Sequence, residues 1–208
     1  SPSVDAFATR AVSGRFAYGV LTGSGPEDAW LLATTWEEGD LLAWHWNGAT
    51  WTAEDGPTDF GDVRTGWVGT DGEGWAAASL TGTAFARRSG AGWELVDPPG
   101  TACVLPTLRG EPGGAAWLGC TRLIGFSGVA AGVFRWNGTY WQNMLGVDSV
   151  DFEAVWGIDG RVWAAGRAMS GCDGAPGLFE RVGERWVPVE GTAGLDLRDL
   201  WGTSANDV

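Results

Sequence analysis

Apolar residues occur in short runs, and these runs are separated by turns rich in glycine, aspartate and asparagine. Within a run, large and small side chains alternate, as in Val162–Gly166 (VWAAG). A period of two residues predicts β-strands. Since no segment combines a helical period with helix-capping residues, the pattern predicts an all-β protein.

The runs repeat along the chain. One motif ends on a tryptophan at positions 30, 75, 117 and 163, so successive copies are 45, 42 and 46 residues apart. A second motif has a glycine at 48, 90, 138 and 183, each three residues before a tryptophan. Two independent motifs with one period indicate a tandem array of units of about 45 residues.

Each unit is interpreted as four short antiparallel strands, A to D. Strands C and D meet through Asn-Gly or a related dipeptide, which supplies the positive φ of a tight hairpin. A four-residue loop would place these residues opposite each other: Trp46 and Trp51, Arg88 and Trp93, Trp136 and Trp141, Arg181 and Trp186. We therefore expect ring contacts or cation–π contacts within each hairpin.

A four-stranded sheet of this size cannot cover both of its faces, so neighbouring units must stack. Radial stacking predicts a β-propeller of four full repeats, with partial repeats at both ends. The expected blades span residues 19–60, 61–105, 106–151 and 152–195. A partial blade is expected at 196–208, to which residues 1–18 could contribute outer strands.

These motifs resemble the tryptophan-rich β-propeller repeats of secreted bacterial proteins. The resemblance covers roughly residues 20–208 and is carried by LWGTSANDV at 200–208, VWGIDGRVWAAG at 155–166, and the WNGxxW hairpins at 46–51 and 136–141. The sequence departs from the pattern at Thr22 and Arg109, where the first tryptophan is expected. The resemblance implies a binding scaffold and no particular reaction.

Charge narrows the range of partners. All 13 basic residues are arginine, against 26 Asp and Glu, which gives a net charge of −13. Nucleic acids and anionic lipids draw affinity from cationic contacts, so neither is an expected partner. No apolar run is long enough for a membrane span, and no membrane insertion is expected.

The acidic residues concentrate on one predicted face, formed by the B–C and D–A connections. These connections hold sixteen acids and three arginines, against eight acids on the opposite face. Long loops on a rigid scaffold commonly bind ligands. The predicted ligand-binding residues are Trp36, Glu37, Asp40, Asp55, Asp59, Asp148 and Asp173.

Several interpretations of that face remain open. It could be a solubilising rim, a docking surface for a cationic protein or a calcium site, although no EF-hand-like loop supports calcium. Exposed, Trp36 could stack on a sugar, as in propeller lectins. A sialidase-like hydrolase is less favoured, because His45 lies within a strand and no motif assigns a catalytic acid or base. We expect a non-catalytic module with a protein or carbohydrate ligand and no cofactor.

The three cysteines indicate in which cellular compartment the protein is expected. With one histidine and no CxxC pair, a zinc site is not expected. Cys103 and Cys120 should lie at the same end of one blade, which favours a disulfide between them over a pair with Cys172 or three free thiols. This pairing, the bacterial resemblance and the start at Ser1 lead to an expected extracellular, periplasmic or cell-surface location.

Overall fold

The fold is all-β in a computed structural model, which describes residues 16–35, 37–78, 84–90, 92–99, 103–111, 113–121, 132–158, 160–202 and 204. Its strands form four antiparallel sheets of four strands each. The part of the chain described holds no helix with the length and hydropathy of a membrane span.

Each sheet is a meander in which consecutive strands pair. Sheet 1 contains β1 (Phe16–Gly25), β2 (Asp28–Thr35), β3 (Leu41–Trp46) and β4 (Trp51–Asp55). Sheet 2 contains β5 (Val63–Val68), β6 (Gly74–Ala78), β7 (Phe85–Ser89) and β8 (Gly92–Val96). Sheet 3 contains β9 (Val104–Gly110), β10 (Ala116–Thr121), β11 (Gly132–Trp136) and β12 (Trp141–Leu145). Sheet 4 contains β13 (Val150–Ile158), β14 (Arg161–Ala168), β15 (Leu178–Val182) and β16 (Arg185–Pro188).

The sheets stack in chain order through their first strands. Strand β1 contacts β5, β5 contacts β9, and β9 contacts β13, so the A strands surround a common axis. This is the predicted β-propeller arrangement. The ring is open, because the described residues of sheet 4 make no comparable contact with sheet 1.

Apolar side chains fill the three spaces between neighbouring sheets. The first cluster includes Trp30, the second Trp75 and the third Trp117. Trp75 and Trp117 are fully buried. Burial of so much indole surface between sheets is the main hydrophobic contribution to the fold. These tryptophans therefore have the packing role that the repeat predicts.

Three of the four sheets begin slightly earlier than the predicted blades. Strand A begins at residue 16 in sheet 1, at residue 104 in sheet 3 and at residue 150 in sheet 4. The predicted blades begin at residues 19, 106 and 152. In all four sheets the A–B ladder shifts register near the start of strand A. Such a β-bulge adds a residue that a strict alternation of side chains does not reveal.

The predicted register of all four C–D hairpins is confirmed. Each first residue lies opposite the tryptophan five positions later in the chain. In the first hairpin, Asn47 Oδ1 accepts hydrogen bonds from the backbone N–H groups of Ala49 and Thr50, and Gly48 has φ 88°. Asn137 and Gly138 repeat this geometry, with φ 102° at the glycine. Asn-Gly supplies this turn because only glycine adopts positive φ without strain.

In sheets 2, 3 and 4, facing residues of the C–D hairpin pack against a strand-B tryptophan of the preceding sheet. Arg88 lies over Trp30, with its guanidinium carbon 4.7 Å from the ring centroid. In the next sheet, Trp136 and Trp141 contact Trp75 at centroid distances of 5.2 and 5.1 Å. The hairpin pairs therefore join neighbouring sheets as well as neighbouring strands.

Sheet 4 repeats this contact and corrects one expectation. Arg181 lies 5.5 Å from the centroid of Trp117, and Trp186 meets the same ring edge-on at 5.9 Å. We expected the guanidinium groups of Arg88 and Arg181 to stack on the indole of their own hairpin. They stack across the sheet interface instead, because the preceding sheet presents the flat ring there.

The partial fifth copy differs from the predicted inner strand. Residues 196–202 form no strand, although Leu197 N–H donates a hydrogen bond to Gly166 O at 3.1 Å. In the four sheets, strand A is stabilised by pairing with strand B, and the described residues provide no such partner for this segment. Of the predicted contribution from 1–18, residues 16–18 begin β1 and the others lie outside the described residues.

Candidate functional site

The two ends of the propeller have different connections. We call the edge formed by the B–C and D–A connections the loop end, and the edge formed by the A–B and C–D turns the turn end. The predicted ligand-binding residues belong to the loop end. Among them, Trp36 lies outside the described residues.

Four of the predicted residues lie at the loop end of sheet 1. Asp40 Oδ1 accepts a hydrogen bond from Asp59 N–H at 3.1 Å, which joins the B–C loop to the D–A connection. Asp59 has φ 53°, a left-handed conformation that aspartate tolerates better than most residues. Glu37 and Asp55 are exposed on the same two segments. The structure therefore brings these four residues to one edge.

Asp148 and Asp173 belong to a second group, in sheet 4. Both are exposed, and their loops are joined by a hydrogen bond of 2.9 Å from Met169 N–H to Ser149 O. The loop of Asp173 is further ordered by bonds from Cys172 N–H to Met169 O and from Ala175 N–H to Cys172 O. The predicted site thus consists of two groups and not of one cluster.

Five acidic residues assigned to this face from the sequence are paired with an arginine among the described residues: Glu54, Asp62, Asp151, Glu153 and Asp196. Glu54 lies within β4, where its carboxylate accepts two hydrogen bonds from Arg88, at 2.7 and 2.8 Å. Asp151 is buried, 3.6 Å from Arg167. Each of these two carboxylates therefore faces an arginine of the protein. Exposed loop-end acids without an ion pair to a described residue include Glu37, Asp55, Asp59, Asp148 and Asp173.

Metal binding at this end has no support from geometry. Within the described ranges, no group of three or more His, Cys, Asp or Glu side chains could hold a metal ion. The predicted calcium site remains a prediction from composition.

Arginines concentrate near the turn end, where acids pair with them. Arg87 bonds to Glu73 at 2.9 Å, and Arg135 lies 3.6 Å from Glu111. Ion pairs also join Arg161 to Glu180 and Arg181 to Glu184. Carboxylates near the turn end are therefore largely neutralised, whereas many at the loop end are not.

His45 has a packing role, as predicted. Its ring stacks on Trp30 with centroids 4.3 Å apart, and its Nε2 lies 2.9 Å from Asp28 Oδ1. Burial acts to raise the pKa of Asp28, but hydrogen bonds from Ser24 and His45 and the charge of His45 outweigh it, so the pKa is lowered. The pair orders strands β2 and β3 beside the interface with sheet 2.

The cysteines adopt the pairing that the sequence favoured. Cys103 and Cys120 form a disulfide, with their Cα atoms 5.1 Å apart, and both residues are fully buried. The bond joins the start of strand A to the end of strand B in sheet 3. Cys172 is a free, half-buried thiol.

A pocket that the sequence analysis missed lies on the axis at the turn end. Its volume is 590 Å³, and the ends of β1, β5, β9 and β13 line it together with the turns that follow them. We call it the axial pocket. Arg109, Glu111 and Trp67 contribute the main side chains, and five glycines leave much of the remaining wall as backbone. The only sequence signal was the departure from tryptophan at Arg109.

Arg109 is held in the axial pocket by stacking. Its guanidinium carbon lies 4.0 Å from the ring centroid of Trp156 in sheet 4. Desolvation by burial lowers the pKa of Arg109 below its ordinary value. At the interface of sheet 3 with sheet 2, a Cβ at Gly110 would overlap the indole of Trp67. Glycine is therefore needed where the two sheets approach each other.

Comparison with known proteins supports the fold. No protein-family model and no curated protein sequence matches the chain. A solved structure described as "YCF48 bound to D1 peptide" is similar, with 17% sequence identity and a TM-score of 0.50. The match covers 83% of this chain and 52% of that one, so this chain spans about half the length of that protein. By fold, the chain is a β-propeller.

Proposed function

We propose that this protein is a non-catalytic module that binds a cationic protein segment at its loop end. The observation that carries the proposal is the uneven pairing of charge. Several exposed carboxylates at the loop end, such as Glu37, Asp55 and Asp173, have no ion pair to a described residue, whereas most of the described carboxylates near the turn end (Glu73, Glu111, Glu180 and Glu184) are paired with arginine. Unpaired surface charge on ordered loops attracts an oppositely charged partner.

Two further observations support a binding role. The loops carrying these carboxylates are ordered by backbone hydrogen bonds, so a partner would meet a largely pre-formed surface. The fold is also shared with a protein whose structure was solved with a bound peptide. At 17% identity that likeness supports a related mode of use, while the choice of partner here rests on charge.

Localisation and family are part of the same proposal. A buried disulfide is typical of proteins that fold in an oxidising compartment, which supports an extracellular, periplasmic or cell-surface location. Membership in the tryptophan-rich bacterial repeat family remains a prediction. So does glycan binding, because Trp36 lies outside the described residues.

The test compares two triple variants with the same change in net charge. One variant removes three carboxylate charges from the loop end (Glu37→Gln, Asp55→Asn, Asp173→Asn). The other removes three carboxylate charges from the turn end (Glu27→Gln, Asp71→Asn, Glu184→Gln). The probe is a fluorescent decapeptide of alternating lysine and glycine, followed by anisotropy at low ionic strength.

Binding by the loop-end variant should weaken about tenfold, and binding by the turn-end variant should change by less than about twofold. Equal weakening in both variants would show that the peptide responds to net charge alone, and the proposal would then be rejected.

A further inference from the structure

Arg109 differs in its partners from the other half-buried arginines near the turn end. Arg87, Arg88, Arg135 and Arg181 each pair with a glutamate, at distances from 2.7 to 3.6 Å. The guanidinium of Arg109 makes no ion pair or hydrogen bond with any residue that the structure describes, and its Nε is buried. A half-buried guanidinium without a carboxylate loses part of its hydration, and this costs free energy unless another group compensates its charge.

The repeat shows what Arg109 replaces. Thr22, Trp67, Arg109 and Trp156 occupy the same register position, each opposite the strand-B tryptophan of its own sheet. The planar guanidinium of Arg109 stacks on the indole of Trp156, as a tryptophan side chain at this position could do. It also places a positive charge inside the axial pocket, which an indole would not do.

Among the lining residues that the structure describes, the other charged side chain, Glu111, is already engaged. Glu111 accepts a hydrogen bond from Trp117 Nε1 at 2.8 Å and lies 3.6 Å from Arg135. Its negative charge is therefore compensated from within sheet 3. Arg109 remains the cation of the pocket that has no partner among the described residues.

The pocket is large enough for a ligand group. A volume of 590 Å³ falls within the range of about 300 to 1,000 Å³ that is typical of small-molecule sites. Trp67 supplies an apolar wall, and glycines such as Gly23 and Gly157 leave backbone accessible at the rim. This combination of one charge, one indole and open backbone suits a short acidic group with an aliphatic stem.

We propose that the axial pocket binds a ligand carboxylate, which pairs with the guanidinium of Arg109 while its aliphatic stem packs against Trp67. The carboxylate belongs either to an acidic side chain of a peptide segment or to a small organic acid. A planar guanidinium can donate two parallel hydrogen bonds to such a group. The site lies at the opposite end of the axis from the proposed protein-binding surface and does not depend on it.

The test uses saturation-transfer difference NMR with three probes. Succinate represents a small organic acid, acetyl-Gly-Glu-Gly-amide represents an acidic side chain, and acetyl-Gly-Gln-Gly-amide is the uncharged control. Binding of the first probe alone assigns the site to a small acid. Binding of the second alone assigns it to a peptide, and binding of both assigns it to the carboxylate itself.

The variants separate charge from fold. Arg109→Gln removes the charge and should weaken binding of the carboxylate probes about tenfold or more. Arg109→Trp introduces the residue found at positions 67 and 156, so it should fold even if the glutamine variant does not, and it should also lose binding. Arg185→Gln makes the same charge change on an exposed turn-end residue outside the pocket and should alter binding by less than about twofold.

Two results would overturn the proposal. One is the absence of saturation transfer from the wild-type protein to either carboxylate probe at about 10 mM, a concentration that detects very weak sites. The other is binding that persists unchanged in a folded Arg109 variant, or an equal signal from the glutamine peptide. Neither result bears on the loop-end experiment, which uses cationic probes and different residues.

Discussion

Arg88 of sheet 2 lies over the ring of Trp30 in sheet 1, and the Glu54 carboxylate at the outer strand of sheet 1 binds the same guanidinium. One arginine thus contacts two strands of the neighbouring sheet while remaining part of its own. Arg181 repeats the stacking on Trp117 between sheets 4 and 3. The interface between neighbouring sheets is therefore stabilised by polar as well as apolar contacts.

Replacing Arg88 should weaken the interface between sheets 1 and 2. Arg88→Ala removes the cation–π contact and leaves Glu54 without its partner, so the free energy of unfolding should fall by about 2 kcal/mol. Urea denaturation, monitored by tryptophan fluorescence, measures this free energy of unfolding. Arg185→Ala, at an exposed residue of β16, should change it by less than about 0.5 kcal/mol. Equal effects would show that the stacking does not stabilise the interface.

The disulfide should stabilise sheet 3. It closes a loop with a sequence separation of 17, for which the chain-entropy estimate is about 3 kcal/mol. The double variant Cys103→Ala, Cys120→Ala should therefore unfold at clearly lower urea concentration. Cys172→Ala is the control, since that thiol forms no disulfide. A double variant as stable as the wild type would show that the bond contributes nothing beyond packing.

Asp28 should make part of the stability depend on pH. Its pKa is below the ordinary value of 3.8 in the folded protein, so the folded state favours the ionised form. The resulting stabilisation is present above pH 3.8 and is lost as the pH falls through the folded-state pKa.

The difference in unfolding free energy between wild type and Asp28→Asn should accordingly shrink as the pH is lowered from about 5 to about 3. Urea titrations at several pH values measure this difference. Asp148→Asn, at an exposed loop residue, provides the comparison. A wild-type advantage over Asp28→Asn that is constant with pH would contradict the role assigned to the pair with His45.

The repeat made the fold predictable. Glycine spacing identified the hairpins, and the register of Trp46 with Trp51 and of Arg88 with Trp93 followed from counting four loop residues. Both signals are local, since a turn type fixes which residues face each other. The β-bulges were missed because one extra residue hardly disturbs a pattern of large and small side chains.

Contacts between sheets were harder to predict, and so was the pocket. Arg88 stacks on Trp30 of the preceding sheet and not on Trp93 of its own hairpin. This contact depends on how the two sheets pack against each other, which no local sequence pattern specifies. Arg109 was noticed only as a departure from the motif, and its position on the axis became clear from the four strand ends that surround it. The pairing of Glu54 with Arg88 likewise depends on where β4 ends, since the sequence analysis assigned residue 54 to a loop.

The loop end carries more acidic residues and fewer arginines than the turn end, so negative charge is unevenly distributed between the two ends of the molecule. In the field of a charged surface or a large charged partner, such a molecule rotates before it makes contact. The loop end would turn toward positive potential and the turn end away from it, so that encounters are oriented over about a Debye length, roughly 8 Å at physiological ionic strength.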